Sequence, residues 1–225
     1  MKYAADLTAE LINTDCPELI EADHHVETFS RNLQGPFGLE SAFGQVESVS
    51  ELRAELSATF PDGARALRFG SEDYPSVLED LADPPKVLCA RGDLSLAERQ
   101  LRVSIVGSRD ASSDRCEAAE LVAADLAARG AVIVSGLARG IDAAAHRGAL
   151  SAWTPEKRAG RTIAVLGTPL SFPWPPENAR LADEIAESGL ILSECPQAEG
   201  RRFDPEARAR SLKRRNRLVA ALGTG

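Results

Sequence analysis

The chain of 225 residues is 44% apolar and only 5% aromatic, which suits one α/β domain with a smaller appendage and excludes collagen, low-complexity disorder and a disulfide-stapled miniprotein. No stretch approaches the ~18 to 20 uninterrupted apolar residues of a membrane span, and the opening MKYAADLTAE lacks the basic-then-apolar order of a secretion signal, so a soluble cytoplasmic protein with no membrane partner is expected. The net charge of -8 by itself disfavours a polyanionic partner, yet it is unevenly spread: residues 1–96 carry 7 Lys and Arg against 18 Asp and Glu, whereas residues 97–225 carry 19 against 16.

In chain order, residues 1–66 read as an acidic, mostly helical N-terminal region, with helical spacing over 7–22 and 48–58 around a polar, glycine-bearing stretch at 32–44. Residues 67–225 read as a second unit. Its extended lead-in contains Tyr74-Pro75 and Asp83-Pro-Pro85 and is expected to add an edge strand over 87–90. Four β-α units follow. Strands are predicted over 102–106, 131–135, 162–166 and 190–193, and helices over 113–129, 142–153, 177–188 and 205–222, with Gly130 and Gly189 as helix stops. Strands this apolar on both faces belong in a parallel sheet covered on two sides, so the predicted fold is α/β, a Rossmann-like three-layer sandwich.

Ligands of such sheets sit at the carboxyl ends of the strands, where glycines and helix N-termini expose backbone amides. After the first strand come Gly107, Ser108 and Arg109, a close-approach residue, a hydroxyl and a guanidinium able to grip phosphate. After the second comes Ser135-Gly-Leu-Ala-Arg-Gly-Ile-Asp142, in which Gly136 and Gly140 punctuate an anion-binding turn beside Arg139; neither GxGxxG nor a P-loop is present. Asp142 is placed to cap the next helix, and His146 follows on the same helical face. The two could form a hydrogen-bonded pair that fixes the loop, or His146 could act as a base; spacing leaves both open. Residues 201–217 hold eight basic side chains against two acidic ones, either a solvated helix face or an anion-binding surface. Phe172, Trp174 and Phe203 are candidate stacking platforms. Cys16, Cys89, Cys116 and Cys195 form no CxxC and the three histidines are dispersed, so reduced thiols, no metal and no other cofactor are expected.

Ile105-Val-Gly-Ser-Arg109, Ser135-Gly-Leu-Ala-Arg-Gly-Ile-Asp142 with Ala145-His146 and Gly148-Ala-Leu150, and Thr162-Ile-Ala-Val-Leu-Gly167, with Leu192-Ser-Glu194 and Arg215-Asn-Arg217 downstream, resemble the bacterial DNA-processing protein A (Smf) family. The resemblance runs from about Phe69 to the last residue; the family's core normally continues past that point. It implies an extended Rossmann-like fold without known catalysis that binds single-stranded DNA, protects incoming DNA and loads a RecA-type recombinase during natural transformation. A homodimer is left open. By position, Gly107, Ser108 and Arg109 would contact phosphate; Ser135, Gly136, Arg139 and Gly140 would line the same pocket, with Asp142 and His146 beside them; Arg215, Asn216 and Arg217 would widen the positive surface. Two places differ from the family pattern: Thr168-Pro169-Leu170 replaces a glycine-rich turn, and Phe203 precedes Arg215 by twelve positions. The rival reading is a nucleotide-binding sensor, or a nucleoside-monophosphate phosphoribohydrolase of a related superfamily. Its PGGxGTxxE motif is absent, and Leu222-Gly-Thr-Gly225 is only a faint echo.

Overall fold

The computed structural model describes residues 63–153, 159–195 and 205–224; the helices expected over 7–22 and 48–58 and the candidate Phe203 lie outside them. The strands are β1 (Ala64–Arg68), β2 (Val87–Gly92), β3 (Arg102–Ser104), β4 (Val132–Ser135), β5 (Thr162–Leu166) and β6 (Leu190–Ser193). The helices are α1 (Ser76–Glu79), α2 (Ser113–Ala128), α3 (Ile141–Ser151), α4 (Ala179–Ser188) and α5 (Pro205–Leu222). The strands form one six-stranded sheet in the order β1-β2-β6-β5-β4-β3. From β3 to β6 the pairing is parallel, with Ile133 opposite Thr162 and Ala164 opposite Ile191, while β2 runs antiparallel to β6 and β1 antiparallel to β2.

Each step from β3 to β6 moves one place in the same direction, and right-handed crossovers then put α2, α3 and α4 on one face of the sheet. Helix α5 returns along the other face. Strands β4, β5 and β6 carry mostly apolar residues in unbroken runs because alternate side chains enter two different cores. Leu88, Val132, Val134, Ile163, Val165, Leu190 and Leu192 pack with Leu78 of α1 and with Leu218, Val219 and Leu222 of α5. Cys89, Ala164, Leu166 and Ile191 pack beneath Ala143 of α3 and Leu181, Ala182 and Ile185 of α4. Each fully buried aliphatic side chain contributes about 2 kcal/mol, so the double-sided burial explains why β4, β5 and β6 are the most legible part of the sequence. None of the helices among the described residues is long and apolar enough to cross a membrane.

Two details differ from expectation. The strand expected at the sheet edge over 87–90 is β2, and it lies inside the sheet between β1 and β6. The edge is β1, whose sequence Ala-Arg-Ala-Leu-Arg buries only Leu67 and so carries no apolar run. It begins at Ala64, ahead of the expected division at residue 67.

Helices α2 and α3 meet through short side chains: Ala123 and Ala127 lie against Ala145 and Ala149. At Gly148 the approach is closest, since an added Cβ would stand 2.0 Å from the carbonyl oxygen of Glu120. Replacing an interior helix glycine by alanine ordinarily gains about 1 kcal/mol of helix propensity. Here overpacking, typically about 1 to 3 kcal/mol, opposes it. Gly148→Ala is therefore expected to lower the thermal midpoint followed by circular dichroism; a rise would mean the helices have room to separate.

Candidate functional site

Strands β3 and β4 end side by side, and the loops that leave them, 105–112 and 136–140, meet to form a rim at the carboxyl edge of the sheet. Gly140 makes the meeting possible: its φ is +72°, and a Cβ there would lie 2.3 Å from the carbonyl oxygen of Ser108. The amide of Ile141 donates to that same oxygen at 3.3 Å. Beneath the contact, Ser135 is fully buried and its hydroxyl donates to the carbonyl of Ile105 at 2.6 Å, tying the two strand ends together. Gly107, Ser108 and Arg109 are all exposed. Ser108 Oγ accepts from the amide of Asp110 at 3.2 Å. Arg139 is 61% exposed, with Glu177 3.6 Å away in a loose surface pair that contributes little.

Asp142 is expected to cap α3, but the N-cap position belongs to Gly140, and Asp142 is the second residue of the helix, within its first turn. Its buried carboxylate turns back under the loop, accepting from the amide of Ala138 at 3.4 Å and facing those of Gly107 and Gly136. These three amides are thus directed inward, and the outer rim is made by Ser108, Arg109 and Arg139. Burial pushes the Asp142 carboxyl above its ordinary range, against the pull of the Arg215 guanidinium.

Arg215 does not widen a surface. It is 3% exposed, lies under the rim and donates through Nη1 to the carbonyls of Gly136 and Val165 and through Nε to Asn216 Oδ1 at 3.2 Å. Burial lowers its pKa, the neighbouring Arg109 adds to that, and Asp142 opposes both. A Cβ on Gly136 would stand 2.1 Å from Nη1, so glycine is required for the guanidinium to fit. The signal was in the sequence: Ser211, Arg215, Leu218 and Leu222 share the inward stripe of α5.

Arg217 points elsewhere. It grips Glu194 with both Nη atoms at 2.8 and 2.7 Å and donates through Nε to the carbonyl of Asp83 at 3.1 Å, while Arg214 reaches the Asp83 carboxylate at 3.0 Å. This knot fastens α5 to β6 and to the lead-in, away from the loops. Asn216 is exposed. His146 is completely buried and pairs with Thr162 Oγ1 at 2.7 Å rather than with Asp142. The Thr162 hydroxyl donates to the carbonyl of Ile133 at 2.7 Å, so His146 Nδ1 is the protonated nitrogen and donates to it. With Ser135 bonded to a carbonyl and His146 facing β5, these two form no nucleophile-base pair.

Two contributors escaped the sequence reading. Leu137 is buried with a φ of +59°, a strained setting for a side chain with a Cβ. Its carbonyl accepts from Asn178 Nδ2 at 2.9 Å, which joins the loop after β5 to the rim. That loop carries Phe172, 46% exposed, and Trp174, whose ring is covered by the Arg208 guanidinium at 3.8 Å. Among the described residues no group of three or more His, Cys, Asp or Glu could hold a metal ion.

The sequence model of the DNA recombination-mediator protein A family matches residues 65–225. Among curated proteins, the chain is 33% identical over 172 residues to the DNA processing protein DprA of Bacillus subtilis, covering 76% of this chain and 53% of that protein. It is 40% identical over 153 residues to the protein Smf of Synechocystis, covering 67% and 35%. A putative DNA processing protein DprA of Mycobacterium tuberculosis is 41% identical over 211 residues, covering 88% and 51%. The chain thus spans about half the length, or less, of these relatives. Similar solved structures include the following two. One is DNA processing protein A of Streptococcus pneumoniae (TM-score 0.63, 33% identity, 77% of this chain and 55% of that one). The other is DNA processing protein A of Helicobacter pylori, described for its single-stranded DNA binding mode (TM-score 0.58, 36% identity, 71% and 66%).

The His146 environment has a measurable signature. Burial, with Arg215 and Arg147 adding, pushes its imidazole down to about 3, so it is neutral in the folded chain. An unfolded imidazole takes a proton near pH 6.5. Below that pH the unfolded state binds a proton that the folded state refuses, and stability declines as pH falls toward 3. His146→Gln is expected to reduce stability at neutral pH yet flatten the acid decline by up to about 1.4 kcal/mol per pH unit, read from urea unfolding at several pH values. Parallel pH profiles for the two proteins would contradict a neutral, buried imidazole.

Proposed function

Because the chain belongs to the DNA recombination-mediator protein A family, we propose that the rim at the ends of β3 and β4 binds the phosphates of single-stranded DNA. The observation that carries this reading is the exposure of Gly107, Ser108 and Arg109 next to Arg139, on loops held from below by buried groups. Guanidinium and hydroxyl donors hold phosphate oxygens without reading sequence, so binding is sequence-tolerant. Phe172, exposed on the neighbouring loop, supplies an aromatic face for unstacked bases, whereas the Trp174 ring is covered by Arg208. The Helicobacter pylori relative's described single-stranded DNA binding supports the choice of ligand. Residues 67–225 form the DNA-processing unit in this reading, with the acidic 1–66 region apart from it, and no catalytic step is assigned. Protection of incoming DNA, delivery to a RecA-type recombinase during transformation and a cytoplasmic setting are the wider role we propose; the relatives' names support the DNA-processing and recombination-mediator part of it.

Fluorescence anisotropy with single-stranded and duplex oligonucleotides at two salt concentrations tests the reading. Affinity for single strands should fall with salt at a log-log slope of about -0.7 per neutralised phosphate. Arg109→Ala should weaken every sequence alike, by roughly ten- to hundredfold, in keeping with the ~1.5 to 3 kcal/mol of a charge-assisted hydrogen bond. A flat salt dependence, or a loss confined to one sequence, would remove phosphate as the ligand. Tight binding of a mononucleotide without DNA binding would favour the nucleotide-sensor reading instead.

A further inference from the structure

At the carboxyl edge of a parallel sheet the last carbonyls of neighbouring strands run out of ladder partners, and a buried carbonyl without one is costly. Gly136 and Val165 supply two such oxygens, one just past the end of β4 and one near the end of β5. A single guanidinium nitrogen of Arg215 serves both, reaching them from α5, the helix on the opposite side of the sheet from α3. On the α3 side, Asp142 collects the amides of Ala138, Gly107 and Gly136. The 136–140 loop is therefore held at its carbonyl by a cation and at its amides by an anion, and the two charges offset each other. The charged side chains left at the rim are Arg109, the adjacent exposed Asp110 and the loosely paired Arg139.

We propose that Arg215 is a positioning residue for the rim: it fixes the phosphate-binding loops from beneath by bridging two strand-end carbonyls opposite Asp142, and it does not itself touch DNA. This rests on the reading of the rim given above. The geometry is specific to arginine. One nitrogen, Nη1, donates to both carbonyls while Nε holds Asn216 Oδ1, and the guanidinium stays charged when buried, whereas a lysine ammonium is a single point donor on a flexible stem with nothing in the place of Nε.

The test compares wild type, Arg215→Lys and Gly136→Ala in the full chain, using two measurements. The first is amide hydrogen exchange by NMR on the DNA-free protein. Both variants should raise exchange at Gly107, Ala138 and residue 136 by at least tenfold over wild type, while exchange in β5 and β6 stays unchanged. The second is single-stranded oligonucleotide affinity against salt. Both variants should bind at least tenfold more weakly with the wild-type log-log slope, because no phosphate contact has been lost. Arg215→Lys keeps the charge, so retention of both affinity and amide protection would overturn the proposal. A slope reduced by about 0.7 in Arg215→Lys would make Arg215 a phosphate ligand and overturn it equally. If Arg215→Lys fails to fold, Gly136→Ala decides, since it leaves Arg215 in place and displaces only its head. If the wild type does not bind DNA at all, the phosphate reading fails, and the exchange measurement still decides the strut.

Discussion

A guanidinium buried under the carboxyl edge of the sheet organises everything above it. Arg215 supplies donors to the carbonyls of Gly136 and Val165, and Asp142 supplies acceptors to the amides of the same loop system. A buried charge of either sign alone would carry a desolvation penalty of several kcal/mol. Together, and hydrogen-bonded to backbone on all sides, they convert two irregular loops into a fixed surface. The exposed residues with phosphate-binding chemistry, Ser108, Arg109 and Arg139, need no contacts of their own to stay in place because the groups beneath them are already satisfied.

The same constraint explains why the basic run of α5 does not behave as a patch. Over 205–217 the arginine side chains point to several different places: Arg208 covers Trp174, Arg210 faces Glu206, Arg214 and Arg217 share Asp83 and Glu194, and Arg215 enters the core. Counting charges along a sequence treats them as one surface, whereas a helix distributes neighbours over its whole circumference. The density of arginine here reports the number of attachments α5 makes to the sheet edge and the lead-in.

The parallel strands and the four long helices were legible because burial on two faces and glycine stops leave strong, local marks, as in Val132–Ser135 and Thr162–Leu166. So was the meeting of the loops that carry Gly107 and Gly140 at the junctions of strand and helix, but not that Ser135, Arg215 and Arg217, expected at the same surface, turn inward or toward Glu194. The order of the antiparallel strands was not: β1 has alternating arginines and one buried leucine, and nothing local says which neighbour it pairs with. The roles of Asp142 and His146 were misjudged for a related reason. Spacing of four places two residues on one helical face but does not say that one lies at the rim and the other a turn deeper against β5. Leu137 and Asn178 were invisible because their importance comes from a backbone angle and a carbonyl, neither of which is a property of residue type.

The alanine seam between α2 and α3 bears on motion as well as packing. One helix grows directly out of the 105–112 loop and the other out of the 136–140 loop, and they touch at Gly148 nearly backbone to backbone. Side chains as short as alanine have no alternative rotamers with which to absorb a shift. The two helices therefore behave as a single plate, and whatever lifts one loop must tilt the other with it, so a ligand engaging either half of the rim meets the stiffness of both.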